Sequence, residues 1–78
     1  MNFQQLKSIN KKTYWRAISH NKTLEFRIIK NTKCTGSYCH QAYQCVTLNP
    51  DSTVFDNESF DTLEIAQDYC YWLNDQIG

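Results

Sequence analysis

The spacing of apolar side chains changes period once along this chain, and that change limits its fold more than any other feature. Residues 13–19 and 23–33 are rich in aromatic and β-branched types, which suit a pleated surface. From residue 61 onward the pattern is helical instead. Ile65, Ala66, Tyr69, Cys70, Trp72, Leu73 and Ile77 recur at a spacing that defines a broad apolar stripe. Strands followed by one helix predict an α+β domain, with a three- or four-stranded antiparallel sheet and a long C-terminal helix on one face. Seventy-eight residues hold one such domain, spanning 1–78, with an arm or short helix over 1–12, the sheet over 13–56 and the helix over 61–77.

Local signals place the joints. Phe3, Leu6 and Ile9 stand three apart, which suits a short N-terminal helical turn; an extended arm is the alternative. His20, Asn21 and Lys22 form a polar bend between the first two strands. Thr35-Gly36-Ser37-Tyr38 forms a second bend, and Asn49-Pro50-Asp51-Ser52 carries a type I turn signal before a short strand at 53–56. Setting Cys34 opposite Cys39 brings Ile28 to Cys45, Phe26 to Thr47 and Lys30 to Tyr43. Leu24, Phe26, Ile28, Tyr43 and Cys45 then share one face, and a slip of one residue would invert that separation. Asp61 is the expected N-cap, with Glu64 completing a capping box and Phe60 and Ile65 forming a hydrophobic staple.

Charge is segregated to an unusual degree. All eight Lys and Arg residues lie in residues 1–33 against Glu25 alone, a net +7, while residues 34–78 carry seven carboxylates and no base, a net −7. Either the halves neutralise each other across the fold, or the molecule has two oppositely charged faces that steer different partners. Placed on the expected fold, Glu64, Asp68, Tyr71 and Asp75 make an outward acidic face on the helix. Tyr14, Arg16, Arg27, Ile29 and Lys33 make a basic, partly aromatic face on the uncovered side of the sheet. Each is a candidate partner-binding surface, the second also for nucleic acid.

Catalytic groups are not assembled by this sequence. Cys34, Cys39, Cys45 and Cys70 run Cys-x4-Cys-x5-Cys with a distant fourth, unlike the paired knuckles of zinc sites, so no metal or other cofactor is expected. Cys45 and Cys70 fall on core faces, where a thiol acts as a small hydrophobe. Cys34 and Cys39 could close a cross-strand disulfide if oxidised, but no secretory signal opens the chain, and reduced thiols in a cytoplasmic setting are expected. Cys39 and His40 are neighbours on a strand and point to opposite faces, which separates nucleophile from base. Two glycines 42 positions apart make no phosphate loop. No apolar run approaches the ~20 residues of a membrane span. A non-catalytic binding module follows, with neither a membrane nor a small-molecule substrate among its expected partners.

Two resemblances sharpen that expectation. Phe60-Asp61-Thr62-Leu63-Glu64-Ile65-Ala66 is similar, at Phe60, Thr62 and Ala66, to the entry into the helix of phage-integrase arm-type DNA-binding domains. That likeness implies sheet residues such as Arg16 and Arg27 entering the major groove of duplex DNA; where that family tends to carry bases after the Thr, this chain has Leu63 and Glu64. In size, in sheet-then-helix order and in the helix start Phe60, Asp61, Thr62, the chain also resembles small phage anti-CRISPR proteins. This second likeness implies a non-catalytic inhibitor or adaptor that docks on a host protein or nucleoprotein complex in the host cytoplasm.

Overall fold

The computed structural model describes residues 1–77, and Gly78 lies outside the described residues. Five strands form one sheet: β1 (Gln4–Lys7), β2 (Thr13–Ile18), β3 (Glu25–Thr35), β4 (Tyr38–Leu48) and β5 (Val54–Phe60). They lie side by side in chain order, each antiparallel to the next, and α1 (Leu63–Ile77) follows. The α+β class and the single C-terminal helix are as expected. The strand count is corrected from three or four to five, and the sheet runs from Gln4 to Phe60 rather than over 13–56.

No helix forms near the N-terminus. Residues 4–7 pair with 13–16 of β2, and the three-residue spacing that suggested a helical turn is broken by the pleat. Phe3 packs on the core, Leu6 lies opposite Tyr14 on the other sheet face, and Ile9 is fully exposed in the loop. At the far edge, β5 continues through Asp56, Asn57, Glu58 and Ser59, residues with little intrinsic strand preference. Pairing with β4 imposes the extended form, and its reward is Phe60, which lies opposite Tyr43 and packs on the core.

The expected β3–β4 register is the one observed, with Cys34 opposite Cys39, Ile28 opposite Cys45, Phe26 opposite Thr47 and Lys30 opposite Tyr43. It sends Phe26, Ile28 and Cys45 to the helix side, where they join Leu24, Ala66, Cys70 and Leu73 in the core. Met1, Phe3, Trp15, Tyr43, Phe60, Leu63 and Tyr69 close around this cluster. The Cys34 and Cys39 sulfurs are bonded as a disulfide, the cross-strand alternative to reduced thiols that their spacing left open. Directly opposed strand positions bring them within reach, their Cα atoms 4.0 Å apart. Cys45 and Cys70 are free and buried, as expected for core thiols.

A chain with two glycines must make its turns from other residues, and one solution recurs here. In the β1–β2, β2–β3 and β4–β5 loops the amides of Lys11, Lys22 and Ser52 donate to the carbonyls of Ser8, Ser19 and Asn49, all at 2.9 Å. Each donor residue is left-handed, with φ of 65°, 61° and 70°. This pattern, a type I turn closed by a left-handed residue, is a common hairpin connection. Side chains substitute for glycine's freedom: Ser19 Oγ accepts from the Leu24 amide at 3.0 Å, and Asp51 accepts from the Thr53 amide at 3.1 Å. The β3–β4 connection alone uses glycine, Gly36 at φ 62°.

Candidate functional site

Two surfaces contain the residues singled out above, and the fold sets them on opposite sides of the molecule. Helix α1 covers β3, β4 and β5 on one side of the sheet. Its first turn is capped by Thr62, whose hydroxyl accepts from the Ile65 amide at 3.1 Å. That moves the N-cap from the expected Asp61 to Thr62, so Glu64 no longer stands at the capping-box position. The staple dissolves too, because Phe60 turns inward against Tyr69, ring centroids 5.0 Å apart. Glu64 stays in the first turn, where a carboxylate favours the positive end of the helix dipole.

Only part of the expected apolar stripe is buried. Ala66, Cys70 and Leu73 face the core, joined by Asn74, while Ile65, Trp72 and Ile77 remain 51%, 54% and 40% exposed. One helix resting on three strands covers a narrower arc than seven apolar positions span, so the excess is left on its flank. Two contacts fix its rotation. Asn74 Oδ1 accepts from the His20 amide at 2.7 Å, and Tyr69 donates to Asp56 of β5 at 2.5 Å. Burial, then the Asp56 carboxylate, pushes the Tyr69 phenol above its ordinary pKa of 10.0. In the core, the hydrogen bond between the two thiols and then burial push Cys70 above its ordinary 9.0.

The outer helix surface therefore has two adjoining strips. Glu64, Asp68, Tyr71 and Asp75 all lie exposed on one, with Tyr71 leaning edge-on against Phe3 at 5.8 Å. Ile65 and Trp72 lie on the other, on the side of Tyr69 and β5, and Trp72 stacks on Tyr69 at 5.8 Å. None of these carboxylates meets a base within ion-pair distance among the described residues.

The second surface is the sheet face away from the helix. Arg16 lies opposite Arg27 and Tyr14 opposite Ile29, so these four adjoin as expected. Lys33 does not join them. It lies opposite His40 on a two-stranded arm, where Asn31–Thr35 and Tyr38–Ala42 pair only with each other beyond the reach of β2 and β5. Opposed arginines repel each other across a strand pair, and Glu25 resolves the conflict. Its carboxylate accepts from Arg16 at 3.1 Å and also from Arg27 Nε. Burial alone would push the Glu25 carboxyl up, but the hydrogen bonds from Arg16 and Arg27 and their charges together hold it below its ordinary 4.5. Beside this cluster, Asn31 donates to Gln44 at 3.0 Å and Gln44 to Asn57 at 2.9 Å, an amide ladder across three strands. The β1–β2 loop borders a shallow groove of about 690 Å³ against Tyr14, Arg27 and Ile29.

The bases and the acids do not cancel across the core; the arginines are satisfied within their own face. Sequence reasoning missed the amide ladder, whose members carry no charge signal, and the protruding arm, which shows only once β2 and β5 are seen to stop short. It also missed the free edge of β5. No group of three or more metal-ligating side chains gathers among the described residues. No described helix is long and apolar enough to cross a membrane. Comparison of the chain with protein-family models, with curated proteins and with solved structures finds no match in any of the three.

Proposed function

We propose that this protein is a non-catalytic binding module, an inhibitor or adaptor that docks on a cationic surface of a host protein or nucleoprotein complex. Its contact surface is the helix face of Glu64, Asp68, Tyr71 and Asp75. The observation that carries this reading is a ridge of carboxylates without basic partners among the described residues, bordered by Ile65 at 51% and Trp72 at 54% exposure. A helix serving only to close a core gains nothing from holding a tryptophan in water, whereas an interface rich in aromatic anchors and steered by charge uses both strips. Replacing Glu64, Asp68 and Asp75 together by lysine tests it. The folded variant, checked by circular dichroism, is expected to lose capture of the partner that the unaltered protein retains from nuclease-treated host lysate. Equal capture by both would remove the helix from the reading.

The arm supports a second reading, contact with duplex DNA through the basic side. A two-stranded ribbon fits the major groove, and the arm, residues 31–42, carries Lys33 and His40 with no carboxylate. A duplex-binding titration across salt concentrations decides it, since phosphate contacts weaken steeply as salt rises. Absence of binding at low salt would eliminate it.

A further inference from the structure

Strand β5 ends the sheet, and its outer edge pairs with nothing among the described residues. Such an edge presents a row of backbone donors and acceptors ready for another strand, and natural sheets guard it with charge, proline, bulges or brevity. This edge has seven residues and neither lysine nor proline; a register break at Phe55 interrupts one end, and its guards are the carboxylates Asp56 and Glu58, which turn away acidic strands and admit basic ones. What stands beside it is acidic and aromatic. Register with β4 turns Asp56, Glu58 and Phe60 to the helix side, and Tyr69, Trp72 and Ile65 rise next to them on the near flank of α1. Residues 54–77 contain six carboxylates and no base.

We propose that the β5 edge accepts an extended basic segment of the partner as a sixth strand. The inference rests on the binding-module reading and gives that partner its local chemistry. Main-chain hydrogen bonds supply a sequence-independent part of such an attachment, and alternate side chains supply the choice. On the helix side the incoming strand meets Asp56 and Glu58 directly across the pair, where opposite charges are favoured. Long cationic side chains at those positions reach the exposed ring of Trp72, which draws cations to its face. On the other side the strand meets Val54, Asn57 and Ser59, which suit small or β-branched residues. A second copy of this chain is a poor occupant. Two antiparallel β5 edges centred on Asn57 would oppose Asp56 of each copy to Glu58 of the other, and the other edge, β1, offers four residues with Lys7 as its sole charge.

The probe is a synthetic peptide of alternating lysine and valine, about eight residues long to match a typical strand. An alternating glutamate–valine peptide and a lysine–valine peptide N-methylated along its backbone serve as controls. Amide hydrogen exchange is read residue by residue over 54–60, together with the indole signal of Trp72. The lysine–valine peptide is expected to slow exchange of the outward β5 amides and shift the Trp72 signal, while both controls fail. Glu58→Lys, an exposed change outside the core, is expected to weaken binding about fivefold, the loss of roughly one surface charge pair. Raising salt should weaken it further. No slowing at millimolar peptide, equal effects from either control, or slowing that grows with protein concentration in the absence of peptide would each overturn the proposal. The lysine triple on α1 separates the two readings. Loss of partner capture by that triple with no peptide effect at β5 leaves the module and removes the sixth strand; protection at β5 with capture unaffected by the triple keeps the sixth strand and removes the helix face as the contact surface.

Discussion

Glu25 settles a conflict that the sheet register creates, because Arg16 and Arg27 are forced opposite each other and one carboxylate between them turns repulsion into a clamp. Its lowered pKa means that the folded state holds the charged form more tightly than the unfolded chain does. The stabilisation is therefore complete above pH 4.5 and is lost as pH falls through the lower folded value. Glu25→Gln should flatten that acid limb in urea melts taken at stepwise lower pH. Tyr69 works in the opposite sense. Its raised pKa contributes stability below pH 10.0 that drains away as the solution becomes more alkaline, and Tyr69→Phe should remove this alkaline loss. Glu25 was legible as the one acid among eight bases, but its role was not. That role depends on Arg16 and Arg27 meeting across β2 and β3, a juxtaposition two loops create.

At the level of elements, the β3–β4 hairpin was readable because one register gathers Leu24, Phe26, Ile28, Tyr43 and Cys45 on a single face, even with Ile29, Val46 and Leu48 left among the polar residues of the other. Helix α1 was readable from its period, yet the depth to which it sinks was not. Burial of Trp72 or Ile65 depends on how many strands lie beneath the helix, and three strands leave both on the flank. Strand β1 was hidden because Phe3, Leu6 and Ile9 fit a helical spacing as well as a pleat interrupted by a loop. The turns, too, show what local propensity conceals: Lys11, Lys22 and Ser52 sit where glycine is at home. Ser52→Gly should therefore stabilise the fold by about 0.5–1 kcal/mol in chemical denaturation, as relief of left-handed strain exceeds the added chain entropy. Removing the cap with Thr62→Ala should cost about 1 kcal/mol, while Asp61→Ala should cost far less.

Across the whole molecule, which measures 43 × 27 × 21 Å, the arm and the sheet body have different means of support. The body is held by the core under α1; the arm is held by five strand pairs and the Cys34–Cys39 bond near its tip. Treatment with a dithiol reductant should speed amide exchange in residues 31–42 severalfold and leave Phe26, Ile28 and Cys45 protected, since local openings need not pass through global unfolding. Loss of protection at all of these positions together would show that arm and body are one cooperative unit. The charge asymmetry was visible in the sequence before any element was placed. Folding keeps it at Arg16 and Arg27, which stand on the side away from the helix, while the register turns Lys7 and Lys30 to the helix side.

Every strand neighbours the one made just before it, and the lone helix comes after all five. A growing polypeptide can thus zip its hairpins one by one, but Phe26, Ile28 and Cys45 stay bare until Ala66, Cys70 and Leu73 arrive to roof them. Products cut short around residue 60 should consequently be sticky and degradation-prone, and supplying the missing helix as a separate peptide should rescue their solubility.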